Sequence, residues 1–299
     1  MDTPDAEPLR TPVDWRRAGR AGRGVRLVAA AAVSLALVGG AFAPVAVAAD
    51  PPPPVAVASS LRFAWPTLLD AMDPPPRTRT TLGASLTLAG QILEGAPFEL
   101  LVAADTDSIG RLVRGGRVAP EDVVRYADGA LVLAVRPGSP LAPESTLEAL
   151  ATLLSGTPAA RVAVANPVHA PYGRAALEAL ASAGLEELSP SRVARGESAA
   201  QALQYLLAGA VDAALVPRSL AVGAPSGTDI VTGAIDPTSH APIEHALGIV
   251  GGAGPAARAL GRHLGGCAAR AVLEAEGFSA PRDVARTEDA SSEPSSDSR

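Results

Sequence analysis

The stretch RVAVANPVHAPYGRAALEAL, residues 161–180, changes character halfway along its length. Residues 162–165 form an apolar run typical of a buried strand, and residues 173–180 have the Ala and Leu spacing of a helix. A strand followed directly by a helix predicts a βα unit. At the junction, Gly173 allows a close approach of backbone to a ligand and Tyr172 offers a phenolic donor. The junction is therefore a candidate binding site as well as a fold signal.

The same alternation of short apolar runs and Ala/Leu-rich helical stretches continues through most of the chain. It predicts an α/β fold with largely parallel sheets, in which ligands bind where strands end and helices begin. Residues 125–139 and 229–250 are interpreted as two crossings between lobes, which predicts a two-lobed body with a hinge and a cleft. A single continuous sheet domain remains an alternative.

Both ends of the chain differ from this body. Five arginines between residues 16 and 26 precede an apolar run over residues 27–48 that ends in Ala46-Val47-Ala48. This pattern predicts that residues 1–48 are a signal peptide cleaved after Ala48, and an uncleaved membrane anchor is the alternative. Residues 49–60 are predicted to be a Pro-rich flexible leader, and residues 280–299 a disordered polar tail.

Charge and motifs exclude several classes of function. The net charge is −6, and removal of residues 1–48 takes away six arginines and four acidic residues, leaving about −8. An acidic surface argues against nucleic-acid binding. The four histidines stand in no nucleophile motif, and His240 and His245 with Glu244 are too few and loop-borne for a metal site. We therefore expect neither an enzyme nor a protein that coordinates a metal directly, and the lone Cys267 can form no internal disulfide.

Four predicted helix starts carry a hydroxyl or a small residue: Thr67, Ser85, Tyr172 and Ser198-Ala199. A helix start has unpaired backbone N–H groups and the positive end of the helix dipole, so it attracts an anion without a charged side chain. Several such starts around one cleft would form a cage for an oxyanion. Ser and Thr are also the ordinary N-cap residues, so capping alone is the alternative at each start.

The chain resembles the molybdate-binding periplasmic proteins of molybdate ABC importers. The resemblance rests on residues 83–105, 161–180, 196–217 and 271–278, and it extends from about Leu61 to Phe278. It implies a two-lobed periplasmic-binding-protein type II fold, with mixed sheets flanked by helices and a ligand cleft between the lobes. Lobe 1 is expected to comprise residues 61–130 plus 234–279, and lobe 2 residues 131–233.

The resemblance also implies a site and partners. Hydroxyls of Thr67 and Ser85, Tyr172 and the backbone N–H of Ala199 are expected to surround molybdate or tungstate, bound as an oxyanion without a cofactor. The expected protein is an exported periplasmic monomer that serves an ABC permease and its ATPase. Two features depart from the family pattern: prolines 74–76 shorten the helix that carries Thr67, and the tyrosine that some members have at the position of Pro217 is missing.

Other functions remain open at this point. The shortened helix leaves room for a degenerate or altered binder of another oxyanion such as sulfate, or for a sensor without a transport role. A secreted hydrolase is the alternative from another class, although the chain contains no GxSxG motif.

Overall fold

The computed structural model describes residues 51–142 and 145–282. The predicted signal peptide, residues 1–48, and residues 283–299 of the predicted tail lie outside the described residues. Across the described ranges, no helix has both the length and the apolar character needed to cross a membrane.

Strands and helices alternate along the described chain. The strands are β1 Pro54–Ala58, β2 Arg79–Gly83, β3 Leu100–Ala103, β4 Val118–Gly129, β5 Leu131–Val135, β6 Val162–Ala165, β7 Val193–Gly196, β8 Ala213–Pro217, β9 Val231–Ala234 and β10 Ile243–Val250. The α-helices are α1 Ala64–Asp70, α2 Ser85–Leu93, α3 Thr106–Arg114, α4 Leu147–Gly156, α5 Pro171–Ser182, α6 Ala199–Leu207, α7 Arg218–Val222, α8 Pro255–Leu264 and α9 Cys267–Ala275. A short 3-10 helix, Ser59–Leu61, joins β1 to the segment before α1.

The strands form two five-stranded mixed sheets. Sheet 1 has the order β2-β1-β3-β10-β4 and sheet 2 the order β7-β6-β8-β5-β9. In sheet 1, β1 runs parallel to β2 and β3, whereas β10 is antiparallel to both of its neighbours. Sheet 2 repeats the arrangement with β6 parallel to β7 and β8, and β5 antiparallel to β8 and β9. The predicted α/β class with mixed sheets is confirmed.

The chain passes between the sheets twice. The first crossing is at Ala130, between β4 and β5, and the second lies between β9 and β10. Residue 234 was predicted to begin the return to lobe 1, but Ala234 still pairs with Val132 in sheet 2. The return to sheet 1 is complete only at Ile243, so the connection is longer than predicted.

The prediction of a flexible leader over residues 49–60 is wrong. Residues 54–58 form β1, which is hydrogen-bonded on both sides within sheet 1. Its side chains alternate between two apolar clusters: Val55 and Val57 pack on one face of the sheet and Ala56 on the other. Burial on both faces explains why β1 is a continuous apolar run. Its first residue, Pro54, already pairs with Arg79 of β2.

Candidate functional site

A small cavity lies where strand ends of the two sheets meet. Its volume is about 10 Å³. Its walls come from strand ends and the segments that follow them: Ala58–Ser60 at the end of β1, Gly83–Ser85 at the end of β2, Ala104 after β3, Ala170–Tyr172 after β6 and Ala199 after β7. The cavity is smaller than the roughly 300–1,000 Å³ sites that hold drug-sized ligands. All of these lining residues are uncharged, so a small ligand there would meet only neutral groups.

Ser60 contributes a buried hydroxyl to this cavity. The side chain is 1% exposed, and its Oγ has no hydrogen-bond partner among the described residues. Its carbonyl oxygen accepts a hydrogen bond from Ser219 Oγ at 2.8 Å, which fixes the 3-10 turn against α7. A buried polar atom without a hydrogen-bond partner lowers the stability of the fold. A ligand that bonds to Ser60 Oγ would remove this penalty.

The Ser85 hydroxyl accepts one hydrogen bond and keeps its own hydrogen available for a ligand. It is the first residue of α2 and is 1% exposed. Its Oγ accepts a hydrogen bond from the backbone N–H of Ala104 at 2.9 Å. The bond orients the oxygen and leaves the hydroxyl hydrogen free to be donated, because Ser has one donor hydrogen and two acceptor lone pairs.

Three helices begin at the cavity wall. Ser85 opens α2 and Ala199 opens α6, while Tyr172 is the second residue of α5 after Pro171, which has no N–H. The first backbone N–H groups of a helix have no acceptor within that helix. In α6 the cap side chain, Ser198 Oγ, accepts from Gln201 N at 3.4 Å and does not use the Ala199 N–H. The helix ends therefore bring positive dipole ends and backbone donors to one small cavity.

The Tyr172 hydroxyl belongs to a buried chain of hydrogen bonds. It lies 3.1 Å from His245 Nε2, and His245 Nδ1 lies 3.0 Å from the Tyr126 hydroxyl. Tyr126 in turn donates to the carbonyl oxygen of Ala103 at 2.9 Å. Burial lowers the pKa of His245 to about 3, so its ring is neutral at physiological pH. Burial, followed by the charge of Asp128, raises the pKa of Tyr172, which therefore keeps its proton.

Gly129 and Gly173 lie where a larger side chain would collide with a neighbouring group. A Cβ on Gly173 would collide with the backbone of Ala165, so glycine lets α5 begin directly against the end of β6. A Cβ on Gly129 would collide with the Tyr172 hydroxyl. Close approach of backbone is thus the physical reason for glycine at both positions.

Comparison with known proteins agrees with this architecture. Residues 54–279 match the family model described as bacterial extracellular solute-binding protein. The chain belongs to this family. It is 31% identical over 202 residues to the molybdate-binding protein ModA of Azotobacter vinelandii, and the alignment spans 67% of this chain and 77% of that protein.

Two solved structures share the fold of this solute-binding protein. The periplasmic molybdate-binding protein of Azotobacter vinelandii matches with a TM-score of 0.68 at 24% identity, covering 77% of this chain and 100% of that chain. The sulfate-binding protein SubI from Mycobacterium tuberculosis H37Rv matches with a TM-score of 0.63 at 17% identity, covering 81% and 91%. Both confirm the two-lobed periplasmic-binding fold. Family membership makes this a protein that binds a solute outside the cytoplasm.

The structure brings together three of the four predicted site residues. Ser85, Tyr172 and Ala199 line the same cavity. The placement of Thr67 is wrong: it lies inside α1 rather than at its start, is exposed, and donates from Oγ1 to Glu276 Oε1 at 3.1 Å. α1 begins at Ala64, three residues before Thr67, and the serines that line the cavity from the segment before α1 are Ser59 and Ser60.

Sequence reasoning missed Ser60 and His245. Ser60 was placed in the predicted leader, although the run VAVASS resembles the other strand-to-turn junctions of this solute-binding protein. His245 was assigned to a loop, but it lies in β10 with 0% exposure. The described residues contain no group of three or more potential metal ligands, and His245 uses both ring nitrogens for the two tyrosines.

The two lobes touch around the cavity through polar contacts. Leu86 N, in α2, donates to the carbonyl of His169, which precedes α5, at 3.2 Å. Arg174 Nη2 in α5 is 3.1 Å from Asp105 Oδ2, the N-cap of α3. With the Tyr172–His245 bond, these contacts join sheet-1 elements to sheet-2 elements on several sides of the cavity. The described conformation of this solute-binding protein is therefore a closed one.

Proposed function

We propose that this protein captures molybdate or tungstate in the cavity between its lobes and delivers it to an ABC importer. The unpartnered Ser60 Oγ, buried in a cavity whose walls carry no charge, is the observation that supports the proposal most strongly. An anion that accepts hydrogen bonds would satisfy this hydroxyl, the free hydrogen of Ser85 and the helix-start amides together. The curated relative from Azotobacter vinelandii is named for molybdate.

Protonation chemistry narrows the class of ligand. Molybdate, tungstate and sulfate carry no proton at neutral pH, so they need only donors. Phosphate keeps at least one proton at neutral pH and needs an acceptor such as a carboxylate. No carboxylate lines the cavity, and the nearby Asp105 is already paired with Arg174. The donor set therefore favours a fully deprotonated dianion.

Capture and delivery follow from the two-lobed form. The ligand would bind donors of both lobes, and closure would exclude water around it. The closed protein would then dock on a membrane permease that works with an ATPase. Export through the predicted signal peptide with cleavage after Ala48, and action as a monomer, complete this proposal.

Sulfate is the second candidate ligand. The fold is shared with a sulfate-binding protein, and sulfate presents the same charge and the same four acceptor oxygens. Sulfate is smaller than molybdate, so the distances among Ser60, Ser85 and the helix-start amides would decide between them. Direct competition is the measurement that separates the two.

Titration calorimetry tests the proposal. Purified protein, dialysed free of oxyanions, is titrated at pH 7 with sodium molybdate, tungstate, sulfate and phosphate. We expect molybdate and tungstate to bind at one site, sulfate to bind more weakly, and phosphate to give no heat of binding. Absence of heat with both molybdate and tungstate would remove the proposed ligand, and tighter sulfate binding would transfer the function to the second candidate.

A further inference from the structure

Helix α7 of lobe 2 packs against a segment of lobe 1 that lines the cavity. α7 follows β8 of sheet 2, and its Leu220 is fully buried in the apolar cluster that covers that sheet. The 3-10 turn Ser59–Leu61 follows β1 of sheet 1, and its Leu61 is fully buried in a separate cluster on that sheet. The two sides of this contact are therefore anchored in different lobes.

The Ser219 hydroxyl is the polar link across this contact. Ser219 is 2% exposed, and its Oγ donates to the carbonyl oxygen of Ser60 at 2.8 Å. The turn that carries this carbonyl supplies both Ser59 and Ser60 to the cavity wall. Separation of two buried polar groups that bond to each other is unfavourable, because each would lose its partner. The bond therefore opposes movement of the cavity wall away from α7.

Two glycines allow α7 to lie close to its neighbours. A Cβ on Gly223 would collide with the side chain of Phe63, which follows the 3-10 turn and packs against the apolar cluster of lobe 2. On the other side, Gly277 has a φ of +89°, and a Cβ there would lie 3.3 Å from the backbone nitrogen of Ser219. α7 is thus held between the cavity-lining segment and the residues that follow α9.

α7 is also attached to the first crossing between the lobes. The backbone N–H of Arg218 donates to the carbonyl oxygen of Ala130 at 2.8 Å, and Ala130 joins β4 to β5. Adjacent residues of one helix therefore bond to the crossing and to the cavity wall. Rotation of lobe 2 about the crossing would move Ser219 towards or away from Ser60 while Arg218 stays near the pivot.

We propose that Ser219 is a positioning residue, whose hydroxyl holds the turn Ser59–Leu61 against lobe 2 when the lobes close and so slows release of the bound oxyanion. The inference rests on the proposed function, because it needs a ligand enclosed between the lobes. Ser219 does not line the cavity, so it acts through Ser60 and not by touching the ligand. Its bond belongs to the closed state, so its loss should speed release without slowing entry into the open state.

Release kinetics test the proposal. Wild type and Ser219→Ala are loaded with radioactive molybdate and mixed with excess unlabelled molybdate, and the label retained by the protein is followed with time. Calorimetry gives Kd, and the release rate constant divided by Kd gives the association rate constant. One neutral hydrogen bond corresponds to about a two- to tenfold change. We expect release and Kd to rise by this factor at an unchanged association rate, and wild-type release or a loss confined to association would overturn the proposal.

Ser145→Ala is the matched control for loss of a buried hydroxyl. Ser145 is also 2% exposed, and its Oγ donates to the carbonyl of Leu141 at 3.1 Å within lobe 2. We expect lower stability in urea but wild-type release, because this bond does not join the lobes. Release from Ser145→Ala as fast as from Ser219→Ala would overturn the proposal.

Gly223→Ala tests the same contact without removing a hydrogen bond. Its methyl group would hold α7 away from Phe63, so we expect faster release, and wild-type release would overturn the role of the contact. The inference and the proposed function fail in different ways. If calorimetry detects no oxyanion binding by the wild type, the proposed function fails, whereas normal binding with unchanged release from Ser219→Ala overturns the inference alone.

Discussion

Replacement of Ser60 by alanine should weaken ligand binding without destabilising the ligand-free protein. Ser60 Oγ is buried in the cavity and has no hydrogen-bond partner among the described residues. The substitution therefore removes no hydrogen bond that these residues make within the protein. A buried hydroxyl without a partner opposes folding, so the variant should unfold at the same urea concentration as the wild type or a higher one.

The loss of affinity can be bounded from the hydrogen bond at stake. A hydrogen bond to a charged group contributes about 1.5–3 kcal/mol. Each 1.4 kcal/mol corresponds to a tenfold change in Kd, so Ser60→Ala should raise the Kd for molybdate about 10- to 150-fold. Titration calorimetry measures the change, and circular dichroism in urea measures the stability of the same samples.

Thr67→Ala is the matched control. It removes an equivalent hydroxyl from an exposed position on α1, where Oγ1 donates to Glu276 rather than to the cavity. We expect wild-type affinity for this variant. If Ser60→Ala bound molybdate as well as the wild type, or if Thr67→Ala lost as much affinity, the placement of the ligand beside Ser60 would be refuted.

Four other changes probe the site and its frame. Ser85→Ala should weaken binding by a similar factor and also lower stability by about 1–3 kcal/mol in urea titrations, because the bond from a buried amide is lost. Gly173→Ala should lower stability by about 1–3 kcal/mol in the same assay, since its Cβ meets backbone. Arg174→Gln breaks the pair between the partly exposed Arg174 and the buried Asp105 and should speed ligand release only a few-fold in stopped-flow experiments at low salt. Burial lowers the pKa of His245 to about 3, whereas the unfolded chain has the ordinary value near 6.5. The free energy of unfolding is therefore highest above pH 6.5 and falls as the pH is lowered, because only the unfolded histidine takes up a proton. Between pH 7 and 5 the wild type should lose about 2 kcal/mol more of this free energy than His245→Gln.

Local patterns in the sequence were sufficient for much of the fold. The stretch over residues 161–180 does form β6 and α5, joined as predicted at Pro171. The junctions at Ser85 and Ala199 are helix starts in the structure. These predictions succeed because a buried parallel strand and its following helix each have a distinct hydrophobic period, and the residues between them are close in the chain.

The first strand was not predicted because its proline-rich and small residues are typical of a flexible segment rather than of a strand. Pro51–Pro54 and the small residues after them are typical of a flexible segment, yet β1 begins at Pro54. Its pairing partners, β2 and β3, start 25 and 46 residues later in the chain, and no local pattern reports them. Ser60 follows β1 directly, whereas the family resemblance placed the first hydroxyl of the site at Thr67.

His245 was missed for a different physical reason. Its role depends on Tyr126 and Tyr172, which lie more than 70 residues away in the chain. A histidine in an apolar run can be recognised as buried, but its partners are set by the antiparallel register of β10 with β4 and by the position of α5. Tertiary contacts of this kind carry no signal in the local sequence.

We expect ligand capture and lobe closure to be coupled, because Ser60 and Ser85 each adjoin a contact between the lobes. The carbonyl of Ser60 accepts from Ser219, the residue after Ser85 bonds to the carbonyl of His169, and Tyr172 bonds to His245. A ligand that draws these donors inward also brings their neighbours into bonding distance. Affinity therefore depends on the fraction of the protein that can close, and a change that weakens only a cross-lobe contact raises the apparent Kd without touching the ligand.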